Sequence, residues 1–290
     1  MNRGLLGAPA LRGMTDFVFF AAMPCLLFDS VAGAPPLHLL HVAGSFLGAA
    51  VLLFGLAALV GRFVLRVRLA SAAILALDSV FGNTVMLGIP IVDAAYGAEG
   101  VANLLAVIAF HSAVLLPLAT ILIEADTGQG RGPAAVLRST VAGVLRNPVV
   151  VSIALAFLWR MTGLAVPLPL HRFFLLLGAA GPPLALFCLG ASLPRPSLAH
   201  ASWTYLAEIG LGSLFKLVAL PALAGQIAHL AGVSGVPFAV VVLAAALPTG
   251  ANAFLLARSF ATLAEASAST VVVTTLLSIF TLSTLLAWLH

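Results

Sequence analysis

Two otherwise hydrophobic stretches, residues 78–97 and residues 246–253, contain the polar side chains and prolines best suited to binding chemistry. Proline removes a backbone donor and glycine relaxes the backbone, so we expect a helix through either stretch to be broken near its middle. The N-terminal end of a half-helix presents unpaired N–H groups and about half a positive charge, which favours an anion. The residues predicted to bind that anion are Asn83, Thr84, Pro90, Pro248, Thr249 and Asn252.

The two asparagines and two threonines of this set have two interpretations. In the first, their amide and hydroxyl groups donate to a bound solute. Neutral donors suit a solute that must be released, because a fixed cation holds an anion more tightly. In the second, these groups only satisfy backbone atoms that the break leaves free. Pro90 and Pro248 are structural in both interpretations.

Several ionisable residues also lie within hydrophobic segments, where a charge costs about 3 kcal/mol or more. Lys216 lies near the centre of its segment and either balances Asp78 or Asp93 or stands in for a coupling cation. Asp78 either carries a coupling proton or cation or has a structural role. His111 is placed like a proton relay, and the alternative is a hydrogen-bonded packing histidine. Glu208 is expected either to extend towards the membrane surface or to cap its helix.

The elements that position these residues follow from composition. The 290-residue chain is 62% hydrophobic and 8% charged, and its mean hydropathy is +1.18. A soluble globule of this composition would expose a large apolar surface. Runs of about 20 apolar residues match helices that cross a hydrocarbon core of about 30 Å, whereas barrel strands are about 10 residues long and alternate in polarity. We therefore predict an all-α integral membrane protein with the lipid bilayer as its partner.

The hydrophobic runs predict about nine transmembrane helices. Their ranges are 14–33, 39–61, 70–95, 101–123, 145–163, 171–193, 202–230, 236–258 and 265–289. The longest joint, residues 124–146, is rich in glycine and is predicted to be a cytoplasmic linker with a candidate interfacial helix. It separates a first unit at residues 1–123 from a second at residues 147–290.

The distribution of arginine predicts the orientation. One side of the predicted membrane carries ten arginines, and the other carries only Arg160 and Arg172. The ten are Arg3, Arg12, Arg62, Arg66, Arg68, Arg131, Arg138, Arg146, Arg195 and Arg258. Because positive residues stay inside, we expect a multi-pass protein of the inner (plasma) membrane. Its N-terminus, as the chain is written, is predicted in the cytoplasm and its C-terminus outside.

The two units resemble one another. Residues 24–28 and residues 183–187 both place proline four positions before phenylalanine, and a broken span occupies the third and the eighth position. Matching the first span with the sixth gives a repeat of five helices, and an odd number requires inverted copies. The first copy has only four helices as written. Paired broken helices that cross at the membrane centre predict the binding site of a transporter.

Five stretches resemble bacterial members of the auxin efflux carrier family, in the same order along the chain. They are residues 83–90, 146–148, 181–193, 216–221 and 248–252. The resemblance implies a secondary transporter, a permease or efflux carrier for small organic anions such as mono- or dicarboxylates. It also implies ten helices in two inverted repeats. Transport then occurs by alternating access, in which the crossing unit moves against a scaffold of the first, second, fifth and sixth spans.

The start of the chain departs from the family pattern. The family's first helix is absent, and residues 1–13 look like the loop that would follow it. We expect either a start codon assigned too late, which is the favoured interpretation, or a natural truncation. The further partners predicted for this chain are a second copy of itself, in a homodimer, and a coupling proton or cation.

Other functional classes find less support in the sequence. The chain has no His-Glu-x-x-His zinc motif and no Gly-x-Gly-Asp pair, and residues 190–193 lack the second glycine expected around a membrane serine nucleophile. We therefore predict no enzyme activity, no catalytic residues, no metal and no cofactor. No basic tract with interleaved aromatics is present, so we expect no nucleic-acid partner. A membrane sensor or scaffold without transport remains the alternative, and an intramembrane enzyme is the less favoured one.

Overall fold

The computed structural model describes residues 7–32, 39–127, 134, 138, 142, 148–192 and 202–289. Apart from one isolated bridge, every regular element in these ranges is helical. In chain order the α-helices are α1 (Ala8–Phe17), α2 (Met23–Ala32), α3 (Leu39–Leu59), α4 (Leu69–Val80), α5 (Ile89–Thr127), α6 (Pro148–Met161), α7 (Leu168–Gly178), α8 (Gly181–Ser192), α9 (Trp203–Leu214), α10 (Leu220–Leu230), α11 (Gly235–Ala246), α12 (Ala251–Ser259) and α13 (Ala264–Leu289). Except for three isolated positions, the interfacial helix predicted in the linker lies outside the described residues.

Five helical segments are long and apolar enough to cross a membrane. They are Pro9–Asp29, His41–Val64, Thr84–Thr127, Trp203–Leu230 and Ala264–Leu289. Many large hydrophobic side chains on these segments point outwards; Leu52, Leu56 and Leu59 on α3 are all at least half exposed. Such a surface is unfavourable in water and suits lipid. The structure agrees with the predicted all-α membrane protein.

Three helix boundaries differ from the prediction. Helix α1 begins at Ala8, so the loop predicted for residues 1–13 is wrong from that residue onwards. The third predicted span is divided at residues 81–83, and its second half continues into the fourth across a kink at Gly97, where φ is 57° and ψ is −151°. The sixth predicted span is divided between α7 and α8, because Pro182 and Pro183 follow the turn between them.

Four π-helical turns widen the helices. They are Val18–Ala22, Val60–Val64, Thr84–Gly88 and Phe215–Ala219. Three of them end two residues before a proline, namely Pro24, Pro90 and Pro221. A helical proline has no N–H to donate, and its ring collides with the carbonyl four residues earlier. A turn with wider hydrogen bonding relieves that collision. The helices therefore continue through these prolines, and the break predicted within residues 78–97 lies at residues 81–83, before Pro90.

Helices α4 and α11 form the centre of the protein. Ten consecutive or near-consecutive residues of α4 and eight of α11 are buried, and most are Ala, Val, Leu or Ile. Helix α4 packs against α3 and α5, and α11 packs against α10, α5 and α3. Small side chains allow this close approach. The breaks that follow these two helices are therefore surrounded by protein, where freed backbone groups are tolerated.

Candidate functional site

The two broken segments contact each other directly. The Asn83 N–H donates to the Pro248 carbonyl at 2.9 Å, and the Gly250 N–H donates to the Phe81 carbonyl at 2.8 Å. These bonds form an isolated antiparallel bridge between Gly82 and Thr249. Each break thus satisfies backbone groups of the other. We call this bridge, residues 81–83 with residues 248–250, the crossing.

Hydroxyl groups support the crossing from one side. The Thr249 hydroxyl donates to the Asp78 carbonyl at 2.8 Å, and the Thr249 N–H donates to the Thr274 hydroxyl at 3.1 Å. Thr249 is fully buried. These contacts fit the second interpretation of its side chain, in which the hydroxyl satisfies backbone atoms that the break leaves free.

The Asp78 carboxylate belongs to the same supporting layer. Its Oδ1 atom accepts a hydrogen bond from the Ser267 hydroxyl at 2.7 Å, and the residue is 1% exposed. Glu208 lies near enough to interact with it electrostatically. Glu208 is itself buried, so the prediction that it extends to the membrane surface is wrong. Ser267 and Thr274 were not predicted, because isolated small hydroxyl residues in an apolar helix give no signal in the sequence.

Lys216 is fully buried in the π-helical turn Phe215–Ala219. Its Nζ atom donates to the Ala245 carbonyl at 2.5 Å. The ion pairs found among the described residues do not include a contact between Lys216 and Asp78 or Asp93. Nζ lies behind Gly82, 3.6 Å from the position that a Cβ atom would take there. The cation therefore lies against the backbone of the crossing.

A cavity of about 120 Å³ lies on the crossing. Asn83, Thr84 and Asn252 line it, together with His111 and Ser112. The remaining lining residues are Phe19, Phe81, Gly82, Val85, Met86, Ile108, Gly250 and Ala251. The side-chain amides of both asparagines have no hydrogen-bond partner among the described residues, so both are available to a bound solute.

Two helical segments begin at this cavity, so their N-terminal ends face it. Asn83 precedes the turn Thr84–Gly88, and Gly250 precedes α12; neither end has a side-chain cap. The first N–H groups of a helix have no partner within it and carry partial positive charge. Thr84, Val85 and Ala251 all line the cavity. The site therefore combines two positive helix ends with two neutral amides.

Other predicted residues lie away from the cavity. Pro90 is buried in the first turn of α5, Pro248 contributes its carbonyl to the crossing, and Asp93 is partly buried on α5. None of the three lines the cavity. The structure thus brings Asn83, Thr84 and Asn252 together with His111 and places the remaining candidates behind or beside them.

A larger groove of about 670 Å³ lies between α10, α11 and α13. Its wall is mainly apolar, with Phe238, Phe280 and Trp288 among its members, and the described residues that line it include no Asp, Glu, Lys or Arg. An anion would lose its hydration there and would meet scattered donors such as Gln226 and Thr284, in place of two helix N-termini. The smaller cavity at the crossing is therefore the better candidate for an anionic solute.

Comparison with known proteins identifies the family of this chain. A family described as "Membrane transport protein" matches residues 1–286. The chain belongs to this family. The match spans both broken segments and confirms the resemblance to the auxin efflux carriers that residues 83–90 and 248–252 indicated.

A curated relative supports the same assignment. It is a protein of Rhizobium meliloti (strain 1021) described as a "Putative malonate transporter". The two sequences are 28% identical over 284 residues, which cover 96% of this chain and 86% of the relative. This membrane transport family member is thus similar over nearly its full length to a protein named for a small dicarboxylate.

Proposed function

We propose that this protein is a secondary transporter of small organic anions, such as mono- or dicarboxylates, that works by alternating access. One observation carries the proposal: two uncapped helix ends and two unpartnered amides converge on one cavity at the crossing. The family and the relative named for malonate support it.

The composition of the cavity suits transient binding of an anion. A carboxylate that accepts hydrogen bonds from Asn83, Asn252 and the helix ends would be held by partial charges, without a direct ion pair. The volume of about 120 Å³ corresponds to about four water molecules at about 30 Å³ each. A compact acid of three or four carbons fits this space better than a large aromatic one.

The proposed architecture is the nine-span arrangement predicted from the sequence. Residues 1–123 and residues 147–290 form two inverted repeats around the linker at residues 124–146, and their broken helices cross at the membrane centre. The contact between one break from each unit supports this arrangement. The crossing unit moves against the scaffold of the first, second, fifth and sixth spans. The N-terminus as written is cytoplasmic, the C-terminus is outside, and the membrane is the inner (plasma) membrane.

Coupling is assigned to the buried ionisable groups near the crossing. Asp78, Lys216 and His111 are the candidates to carry or balance a coupling proton or cation, since each is at most 2% exposed and close to the crossing. A homodimer is part of the same proposal. The protein carries out no enzymatic reaction in this scheme and requires no cofactor.

Flux of radiolabelled malonate into proteoliposomes tests the proposal. Asn83→Ala and Asn252→Ala each remove one donor to a charged ligand, which contributes about 1.5–3 kcal/mol. We expect each substitution to reduce flux at low substrate concentration by about tenfold or more. The melting temperature should change little, because neither amide has a partner among the described residues.

Gln226→Ala is the matched control, because it removes an exposed amide on the apolar groove. It should leave flux unchanged. Wild-type flux in both asparagine variants would remove the site assignment. Absence of substrate-dependent flux of any small mono- or dicarboxylate in the wild type would favour the sensor.

A further inference from the structure

The ring of His111 is held rigidly at the cavity. It is stacked on Phe81, with ring centroids 4.5 Å apart, and meets the edge of Phe46 at 6.1 Å. His111 is 2% exposed, and it lines the cavity with Asn83 and Asn252. The imidazole is therefore a fixed part of the cavity wall.

The two ring nitrogens have different surroundings. Nδ1 lies 3.2 Å from the Ile108 carbonyl oxygen, which can only accept, so Nδ1 carries the hydrogen. Nε2 is buried and has no hydrogen-bond partner within the part of the chain that the structure describes. In the neutral ring Nε2 then holds the lone pair. The Ser112 hydroxyl, 3.4 Å from Nδ1, is farther away and can rotate to serve as an acceptor.

A bare lone pair opposes a carboxylate, since both groups are acceptors. The conflict disappears if one proton lies between Nε2 and a carboxylate oxygen. We propose that His111 takes up one proton at Nε2 when a carboxylate binds in the cavity, so that anion and proton are bound and carried together. This inference rests on the proposed function and names its coupling ion.

The proton balance is simple. A new N–H bond forms at Nε2, the proton comes from water on the side to which the site is open, and no other bond breaks. The ring changes from neutral to +1, and this charge offsets one carboxylate. A monocarboxylate would then cross as a neutral pair, and a dicarboxylate would carry one remaining negative charge. A smaller net charge lowers the cost of moving the loaded site through a low-dielectric region.

Other charged groups on the surrounding elements are less well placed to take the proton. Lys216 acts on the ring electrostatically from behind Gly82. Its ammonium repels a second cation, and the bound carboxylate supplies the compensating charge. The remaining titratable groups on the elements around the ring include Asp16, His41, Asp78, Glu99 and Arg258, and none of these lines the cavity.

Calorimetric titration of the purified full chain with malonate tests the proposal. Buffers of different ionisation enthalpy report how many protons are taken up per anion bound, in a pH range in which malonate is fully ionised. For the wild type we expect about one proton. The dissociation constant should then rise about tenfold for each unit of increasing pH, because the bound state holds one proton more than the free state.

Two variants identify the acceptor. His111→Gln keeps a hydrogen-bonding amide but cannot take up the proton, so proton uptake should fall to about zero and the pH slope should disappear. His229→Gln is the matched control, because it removes an exposed imidazole on the apolar groove and should leave uptake at about one. The wild-type titration is decisive even if a variant does not fold.

The results separate this inference from the proposed function. Binding that requires Asn83 but takes up no proton in the wild type would overturn the inference alone. Uptake that persists in His111→Gln and vanishes in Asp78→Asn would also overturn it, by moving the proton to Asp78. Binding that still depends on His111 but is unaffected by Asn83→Ala and Asn252→Ala would instead count against the proposed site.

Discussion

Gly250 is the position at which the crossing leaves least room. A Cβ atom there would lie 3.0 Å from the Gly82 carbonyl oxygen, 3.1 Å from Cδ1 of Phe81 and 3.2 Å from the Gly82 carbonyl carbon. Two of these atoms belong to the backbone of the opposite segment and cannot rotate away. Gly250→Ala must therefore push the segments apart by a few tenths of an ångström. That shift strains the bonds from Gly250 to Phe81 and from Asn83 to Pro248.

The expected loss of stability follows from these contacts. Overpacking in a well-packed region costs about 1–3 kcal/mol, and a weakened backbone hydrogen bond adds about 0.5–1.5 kcal/mol. A total of about 1.5–4.5 kcal/mol corresponds to a melting temperature about 3–9 °C lower, at about 2 °C per kcal/mol for a chain of this size. Thermal unfolding of the purified protein in detergent measures the shift. We also expect malonate flux to fall, because the cavity lies on the displaced segments.

Gly55→Ala provides the matched control. No atom lies within 4 Å of the Cβ position at Gly55, which is in the interior of α3. Alanine is the better helix former by about 1 kcal/mol, so the melting temperature should stay constant or rise. If Gly250→Ala behaved like Gly55→Ala in both assays, the crossing would not be the close backbone contact on which the reasoning depends.

Two further substitutions test the supporting layer. Ser267→Ala removes the donor to the buried Asp78 carboxylate and should lower the free energy of unfolding by about 1–3 kcal/mol. Ser283→Ala removes an exposed hydroxyl on the same helix and should change the free energy of unfolding little. Equal effects of the two substitutions would contradict the role of Ser267. Thr274→Val leaves the Thr249 N–H without its acceptor, so hydrogen exchange at residues 247–250 should accelerate. Thr275→Val, whose hydroxyl bonds only within its own helix, should not accelerate it, and unchanged exchange in Thr274→Val would argue against this contact.

The sequence was informative where a residue type has one strong local effect. Proline and glycine within hydrophobic runs predicted both interruptions. Asn83 and Asn252, which were predicted to bind one solute, both line the cavity. The membrane class followed from composition alone. These inferences needed no knowledge of which helices pack together.

Features that depend on long-range packing were not predictable in the same way. Ser267 meets Asp78 across 189 positions of sequence, and no periodicity connects the two. Pairing with an aspartate was one of two roles considered for Lys216, but its Nζ atom donates to the Ala245 carbonyl. A backbone carbonyl is available at every position, so the sequence could not indicate which one would be left without a helical partner.

The widened turns before Pro24, Pro90 and Pro221 also limit how helical faces can be assigned from sequence. An α-helix advances about 100° per residue, and a π-helical turn contains one residue more than the pattern assumes. The buried side of the helix at residues 203–214 therefore does not line up with the buried side at residues 220–230. The extra residue in the turn between them rotates the second part by about the angle of one residue. A helical wheel that ignores this offset would place Ala224 and Ala228, both fully buried, towards the lipid.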